Sequence, residues 1–281
     1  MDFGRAFRYV ASRRLCALME IKALKKEDFI EFCAKLQELE SVAEYPYGED
    51  FFKLDHGENY FAFFERLGKS LFHVALVENR VVACASGVLR TVNVENEAFK
   101  AWYLCDLKVH PEFRGRHITT KLFTKNLIRN YVKCSRGYAI SMNPSKGENR
   151  VVKMLLRLPK IPISYAGRLN FYSFDERRAA EFQTNLEAAV GKISYLSLQG
   201  KKDLIMKSTA SRLPLFHIQH GAMAANGAKS PVEKGTYMIC AFEETKLDEL
   251  LKNNFEISAT ASILSHRMKP KDWNFILTSD I

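Results

Sequence analysis

The run "LKVHPEFRGRHITTKLF", Leu107 to Phe123, sets Arg114, Gly115, Arg116 and His117 between an apolar strand pattern and an aliphatic helix pattern that starts at Ile118. Phosphate chemistry explains that order. A helix N-terminus leaves backbone N–H groups without acceptors and carries the positive end of the helix dipole. A preceding glycine lets an anion approach those groups and flanking arginines add charge, so strand, basic glycine loop and helix together predict a diphosphate seat. His117 reads either as a solvated loop histidine or as a charge beside the phosphate. Asp106 stands one residue before Leu107, on the face opposite Leu107 and Val109 by strand alternation. A carboxylate there either receives a proton from a reacting group or forms a structural pair with a lysine or arginine. Tyr103, His110, Glu112 and Tyr165 are further acid–base candidates that no spacing separates.

Hydrophobic periodicity supplies the elements that must place these residues. From Met19 the pattern predicts a strand over 20–23 and a helix over 26–40 with Phe29, Phe32, Cys33, Leu36 and Leu39 on one face. Pro46 and Gly48 break the pattern. A helix over 59–67 follows, whose Tyr60, Phe61, Phe63 and Phe64 read as core or as the wall of an acceptor cleft. A hairpin of strands 71–77 and 81–91 leads to the strand "AWYLCDLKV", the loop 109–116 and a helix over 118–132 that buries Ile118, Leu122, Phe123, Leu127 and Ile128. Next come a strand "GYAISM", a turn at Asn143 and Pro144, a helix over 148–158 stopped by Pro159 and Pro162, and a strand "RLNFYSF". The resulting fold class is mixed α/β (α+β), with a mostly antiparallel sheet flanked by helices, rather than a repeating βαβ array.

A polar helix over 175–190 then joins a smaller, β-rich α/β segment with strands over 193–198, 204–208 and 215–219. The loop "HGAMAANGAKSPVEKG" reads as mobile. The chain closes as strand, helix, strand and a last strand "DWNFILTSD", the same progression as residues 137–174. That segment is either a degenerate half-copy of the first or a plain accessory domain. The expected division is 1–18, a basic extension with Phe3, Phe7 and Val10 near one helical face; 19–175, the main domain; and 176–281, the accessory domain, which covers the acceptor cleft.

"LKVHPEFRGRHITTKLF" resembles the acetyl-coenzyme A motif of the GNAT superfamily of N-acetyltransferases, an apolar strand ending in LxVxPxxRG followed by an RxxGxG/A loop and a helix. Leu107, Val109, Pro111, Arg114, Gly115 and Ile118 carry the match, and the order of elements over 19–174 agrees with it. The resemblance implies acetyl-CoA as co-substrate, with the backbone of Leu107 and Val109 on the pantetheine arm and the N–H groups of Arg114, Gly115, Arg116, His117, Ile118 and Thr119 on the diphosphate. "NRVVKMLL" resembles the family's NxxAxxLY, which places Asn149 on the cofactor-contacting asparagine, with Asn143 a second candidate. Three positions depart from the pattern: His117 and Thr119 replace small residues, and Leu156 stands where the usual tyrosine acid would be. The implied reaction is acetyl transfer from acetyl-CoA to an amine of a small molecule or protein, by direct attack in a ternary complex, with Asp106 and Tyr103 as catalytic candidates. A non-catalytic CoA-binding module and an aminoacyl-tRNA-dependent transferase of related fold are the rival readings.

A formal net charge of +10 over 281 residues favours anionic partners at encounter. Short basic pairs such as Arg177 with Arg178, or Lys201 with Lys202, read as solvated surface, so a nucleic-acid partner is not expected. Six scattered cysteines without a CxxC pair argue against a zinc site and a disulfide framework and for a reducing, cytoplasmic setting. No metal is expected, and no apolar run is long enough to span a bilayer.

Overall fold

The structure is a computed structural model that describes residues 19–281 apart from 95, 96, 126, 159, 160 and 227–232. The predicted basic segment 1–18, the predicted burial of Leu127 and Ile128, and the centre of the loop predicted to be mobile lie outside the described residues. In chain order the elements are β1 (Glu20–Leu24), α1 (Phe29–Ser41), β2 (Tyr45–Tyr47), β3 (Asp50–Asp55), α2 (Ala62–Leu67), β4 (Lys69–Val77), β5 (Arg80–Val94) and β6 (Glu97–Val109). They continue with α3 (Ile118–Thr124), α4 (Leu127–Lys133), β7 (Gly137–Met142), α5 (Arg150–Leu156), β8 (Ser164–Asp175) and α6 (Glu176–Val190). The remainder is β9 (Ile193–Ser197), β10 (Asp203–Met206), β11 (Arg212–Leu213), β12 (Leu215–His220), β13 (Thr236–Phe242), α7 (Lys246–Lys252) and β14 (Ile257–His266).

Ten strands form one sheet in the order β1-β4-β5-β6-β7-β14-β8-β13-β12-β9. The strand between β7 and β8 therefore comes from residues 257–266, far along the chain. Outward from the central β14–β8 pair, the two sides repeat one pattern. β14 is antiparallel to β7, β7 parallel to β6, and β6 antiparallel to β5. On the other side β8 is antiparallel to β13, β13 parallel to β12, and β12 antiparallel to β9. α5 links β7 to β8 as α7 links β13 to β14, so β8 and β14 have exchanged places between two halves of one topology. The repeated progression seen in the sequence is thus a repeated half-fold. One link differs: β6 reaches β7 through α3 and α4, whereas β12 reaches β13 through a 3-10 turn at Gly221–Asn226 with no α-helix among the described residues.

Two local expectations are corrected. Residues 45–55, read as a break, form the hairpin β2–β3, which pairs through β10 with β11 into a separate four-stranded sheet. Pro46 is tolerated because β2 is that sheet's edge. "DWNFILTSD" is not a strand. Side chains there compete for the backbone: Asp272 Oδ1 accepts the Asn274 N–H at 2.7 Å, Asn274 Oδ1 accepts the Phe242 N–H at 2.9 Å, and a 3-10 turn follows at Thr278–Asp280. Among the described residues no helix is long and apolar enough to cross a membrane.

α1 buries Phe32, Leu36 and Leu39 as its periodicity requires, and the same face continues to Glu40, which is only 2% exposed. Tyr60, Phe61, Phe63 and Phe64 share its core cluster, with Phe61 and Phe64 edge-on to Phe72 of β4. On the opposite face of the sheet, Ile118 and Leu122 of α3 bury against Ala75, Val77, Ala83 and Ala85.

Candidate active site

β6 and β7 pair at only three residues, Trp102↔Gly137, Tyr103↔Tyr138 and Leu104↔Ala139, and then part. The remaining stretches, Cys105 to Val109 and Ile140 to Met142, face each other across a gap. His110 donates its N–H to Val82 O at 2.9 Å. By strand alternation this turns the N–H groups of Val109 and Leu107 to the other edge of β6, toward the gap. A cavity of about 610 Å³ occupies the gap and is lined by Leu107, Val109, Arg114, Thr119, Asp106 and Tyr103, among others.

The loop at the head of the gap is built around Pro111–Phe113, a 3-10 turn with proline at its first position. Gly115 has φ +76 and His117 has φ +56, so His117 keeps the left-handed backbone that a glycine would adopt there. The N–H groups of Gly115, Arg116, His117, Ile118 and Thr119 have no protein acceptor among the described residues. Both arginines fold back on the loop: Arg114 Nε donates to Val109 O at 3.2 Å, and Arg116 Nη2 donates to Glu112 O at 3.1 Å with its guanidinium over the Phe113 ring. A Cβ built on Gly115 meets nothing within 4 Å. Its need for glycine is thus the positive φ and the open space above it, not crowding by the protein.

Asp106 lies on a β-bulge. Cys84 pairs with Lys108 and Ser86 with Cys105, which leaves Asp106 and Leu107 opposite Ala85 alone, and Asp106 has φ +55. The bulge places Cys105 and Asp106 consecutively on the α1/α2 side, while Leu107 and Val109 pack on the α3 side as alternation predicted. Asp106 is paired with Lys108 and accepts from the Tyr60 hydroxyl at 3.0 and 2.9 Å. Lys108, 8% exposed, also holds Glu40 Oε2 at 2.6 Å. Tyr45 OH donates to Glu40 Oε1 at 3.2 Å, and His56 Nε2 lies 3.7 Å from Glu40 Oε2. Burial works to raise the Glu40 carboxyl, and the Lys108 ammonium together with the His56 imidazole more than offsets it, holding it at about 2. Burial lowers His56, which is therefore a neutral imidazole near pH 7. Burial likewise lifts Tyr60 and Tyr103 well above the usual phenol range, so both keep their protons.

Of the other predicted residues, Asn149 caps α5, accepting from Val151 N at 3.1 Å and Val152 N at 3.2 Å, and donates to Met142 O at 3.1 Å and Asn143 Oδ1 at 3.0 Å. Asn143 is tied to β14 through Thr260 Oγ1 and Ser262 Oγ. Neither asparagine lines the cavity, nor do His110, Glu112, Tyr165 and Leu156. The faces of α5 that reach it are Arg150, Val151, Met154 and Leu155.

Sequence reading missed Lys202. Lys201 is exposed as expected, but Lys202 turns into the cavity, its ammonium 4.5 Å from the Phe63 ring centroid. Burial, aided by the Arg66 charge, pushes it down to about 7. The turn that carries it is fixed by His56 Nδ1, which meets Lys201 O at 3.2 Å, and by Gly57, where any Cβ would overlap Gly200 O. Glu40, His56 and Lys108 were missed too, although a carboxylate four residues after Leu36 on an apolar helix face, and a D-x-K pair on one face of a strand, are visible signals.

The parted strands and the open loop define the class: an acyltransferase fold of GNAT type. Residues 20–143 match the family model described as the acetyltransferase (GNAT) domain, which places a GNAT-type domain in that part of the chain. An uncharacterized protein of Acanthamoeba polyphaga mimivirus is 22% identical over 233 residues, covering 79% of this chain and 68% of the relative. Similar solved structures include a tandem GNAT protein from the clavulanic acid biosynthesis pathway (11% identity, 88% of this chain and 98% of that one, TM-score 0.49). A second is a putative acetyltransferase from Pyrococcus horikoshii (12% identity, 92% and 93%, TM-score 0.46). A third, from Brucella melitensis in complex with acetyl-CoA, has 16% identity over 49% of this chain and 80% of its own, with TM-score 0.33.

Proposed function

We propose that this protein transfers an acetyl group from acetyl-CoA to an amine, the two substrates meeting in one ternary complex. The carrying observation is one cavity that runs from Arg114 and Thr119, at the two ends of the loop whose N–H groups from Gly115 to Thr119 have no acceptor among the described residues, along the free edge of β6 to Asp106. When bound, acetyl-CoA supplies the thioester carbonyl that the amine attacks. The loop N–H groups of Gly115 to Thr119, with Arg114 and Arg116, hold the diphosphate, and the Leu107 and Val109 N–H groups orient the arm. Asn143 and Asn149 act behind this seat by fixing the end of β7.

Glu40, Asp106 and Lys108 are two carboxylates sharing one ammonium, so this buried group keeps a negative charge that draws the acceptor's ammonium form inward. Asp106 receives the amine proton at its carboxylate, and the Tyr60 hydroxyl, bonded to both of its oxygens, steadies it. Tyr103, which lines the cavity where the strands part and keeps its proton, donates to the departing sulfur in place of the phenol that position 156 lacks. Holding both reactants together supplies most of the acceleration, roughly 7–11 kcal/mol, and the acid and base add about 10²- to 10⁴-fold.

The test is thermal unfolding with acetyl-CoA, followed by free-thiol release on a panel of amines. A rise in Tm together with amine-dependent thiol supports the reading. A rise in Tm with no thiol on any amine leaves a CoA-binding module. No rise at millimolar acetyl-CoA refutes both.

A further inference from the structure

The cavity is bordered by two groups of opposite charge. On the β6 side stands the negative group of Glu40, Asp106 and Lys108. On the other side Lys202 enters the cavity with no carboxylate within ion-pair distance among the described residues, its contact being the Phe63 ring. Behind Lys202 lie Arg66 and Arg90, and Asp280 serves both: Arg90 Nη2 meets Asp280 Oδ2 at 2.9 Å and Arg66 Nη2 meets Oδ1 at 3.7 Å. Three cations thus face one carboxylate. Lys202 lines the same cavity as Cys105 and Asp106 of the bulge, so one bound molecule can meet both groups.

Much of the remaining lining is apolar, with Glu44, His217 and Thr278 among its polar members. Tyr45, Tyr47, Phe52 and Leu54 from the β2–β3 hairpin, with Leu204 and Leu215, form its apolar wall. Desolvating a cation against such a wall without a partner is unfavourable, and an anionic group on the ligand removes that penalty.

We propose that the acceptor is an amino-carboxylic acid with a large apolar side chain, its ammonium directed at Asp106 and its carboxylate at Lys202. The inference rests on the acetyl-transfer reading for the role of the amine, but the recognition of the carboxylate is measurable without turnover. The depressed affinity of Lys202 for its proton fits a cation waiting for an anion.

The experiment uses the full chain and three probes of one shape: L-phenylalanine, 2-phenylethylamine and 3-phenylpropanoate. Calorimetric binding is measured first, then thiol release with acetyl-CoA. A charge-assisted hydrogen bond predicts that phenylalanine binds on the order of 10- to 100-fold tighter than phenylethylamine. Phenylpropanoate should also bind, and kcat/KM should follow the same order. Lys202→Met should reduce that preference to within about threefold, and Lys202→Arg should restore most of it. A Tm rise with acetyl-CoA reports that each variant is folded. Equal or tighter binding of phenylethylamine, or a preference that survives in Lys202→Met, overturns the inference. Lys202-dependent binding of phenylalanine with no thiol release on it or on any amine of the panel supports carboxylate recognition and refutes the transfer reading alone.

Discussion

Replacing Lys108 by methionine tests the buried group from which the site is built. Methionine keeps most of the volume but removes the one ammonium that Glu40 and Asp106 share. Glu40 is held at about 2 against an ordinary value of 4.5, which corresponds to about 3 kcal/mol at neutral pH. Breaking one side of a buried pair independently predicts about 3–5 kcal/mol. For a chain of this size that is a fall in Tm of roughly 10 °C. The pH dependence is more diagnostic than the size. In the parent, the depressed Glu40 contributes stability that is complete above pH 4.5 and is lost as pH falls toward 2, so this group gives no slope between pH 5 and 7. In the variant, two buried carboxylates face one another without a cation and one is pushed upward. A carboxyl raised in the folded state contributes stability that is present at low pH and is lost as pH rises through its folded value. Urea unfolding at pH 5, 6 and 7 should therefore show a deficit that grows with pH, and adding Glu40→Gln should recover part of it. A loss below about 1 kcal/mol, or one of equal size at pH 5 and 7, would refute the claim that Lys108 holds two ionised carboxylates.

His117→Gly relieves the left-handed backbone at φ +56 and should stabilise the fold by up to about 1 kcal/mol in urea melts without weakening acetyl-CoA binding. Reduced acetyl-CoA affinity would instead give the imidazole a part in holding phosphate. Gly57→Ala forces a Cβ into Gly200 O and should cost more than about 2 kcal/mol. Because it displaces the turn bearing Lys202, phenylalanine binding should weaken more than acetyl-CoA binding, by calorimetry on the folded fraction. Among the groups that face Lys202, Glu40 is ionised from about 2, Cys105 stays a thiol to about 11, and burial lowers both His56 and His217, so that both remain neutral as pH rises from 7 to 9. With Lys202 at about 7, phenylpropanoate affinity should be greatest below pH 7 and fall about tenfold per pH unit above it until the complex's own proton is lost. A flat profile from pH 6 to 9 would count against Lys202 as the receiving group.

The strand-to-helix loop at Arg114–Thr119 was legible as a conformation because its signal is local: the strand, Gly115 and the α3 start are adjacent in sequence, and the left-handed backbone persists with histidine at 117. α1 and the strands β4 to β8 were legible for the same reason, since their apolar periods are unbroken. The acceptor side was not. Its wall combines residues 45–54 with 204 and 215, brought together by β3 pairing with β10, and no local pattern reports a pairing of that separation. Asp106 was found with its two alternatives, ion pair and base, and the structure supplies the partners, Lys108 and Tyr60. Lys202 was hidden by its neighbour: Lys201-Lys202 reads as a solvated pair until the turn at Gly200 sends one side chain each way.

The exchange of β8 and β14 bears on why one half alone would make an incomplete site. Each half lends its outgoing strand to the other, so β7 depends on residues 257–266 for the neighbour that covers its second edge. An uncovered second edge of β7 would be open to pairing with another chain. β14 prevents this by holding β7 on its far side while Asn143 anchors the end of β7 to Thr260 and Ser262. The second half retains the parallel β12–β13 pair but joins it without an α-helix among the described residues. Its surviving contributions lie on the acceptor side: Lys202 and Leu204 at β10, with Leu215 and His217 on β12, all line the cavity. On the proposed function, the first half presents the open N–H groups for the acyl donor, and both halves wall the acceptor side, the second adding Lys202 to the hairpin residues of the first.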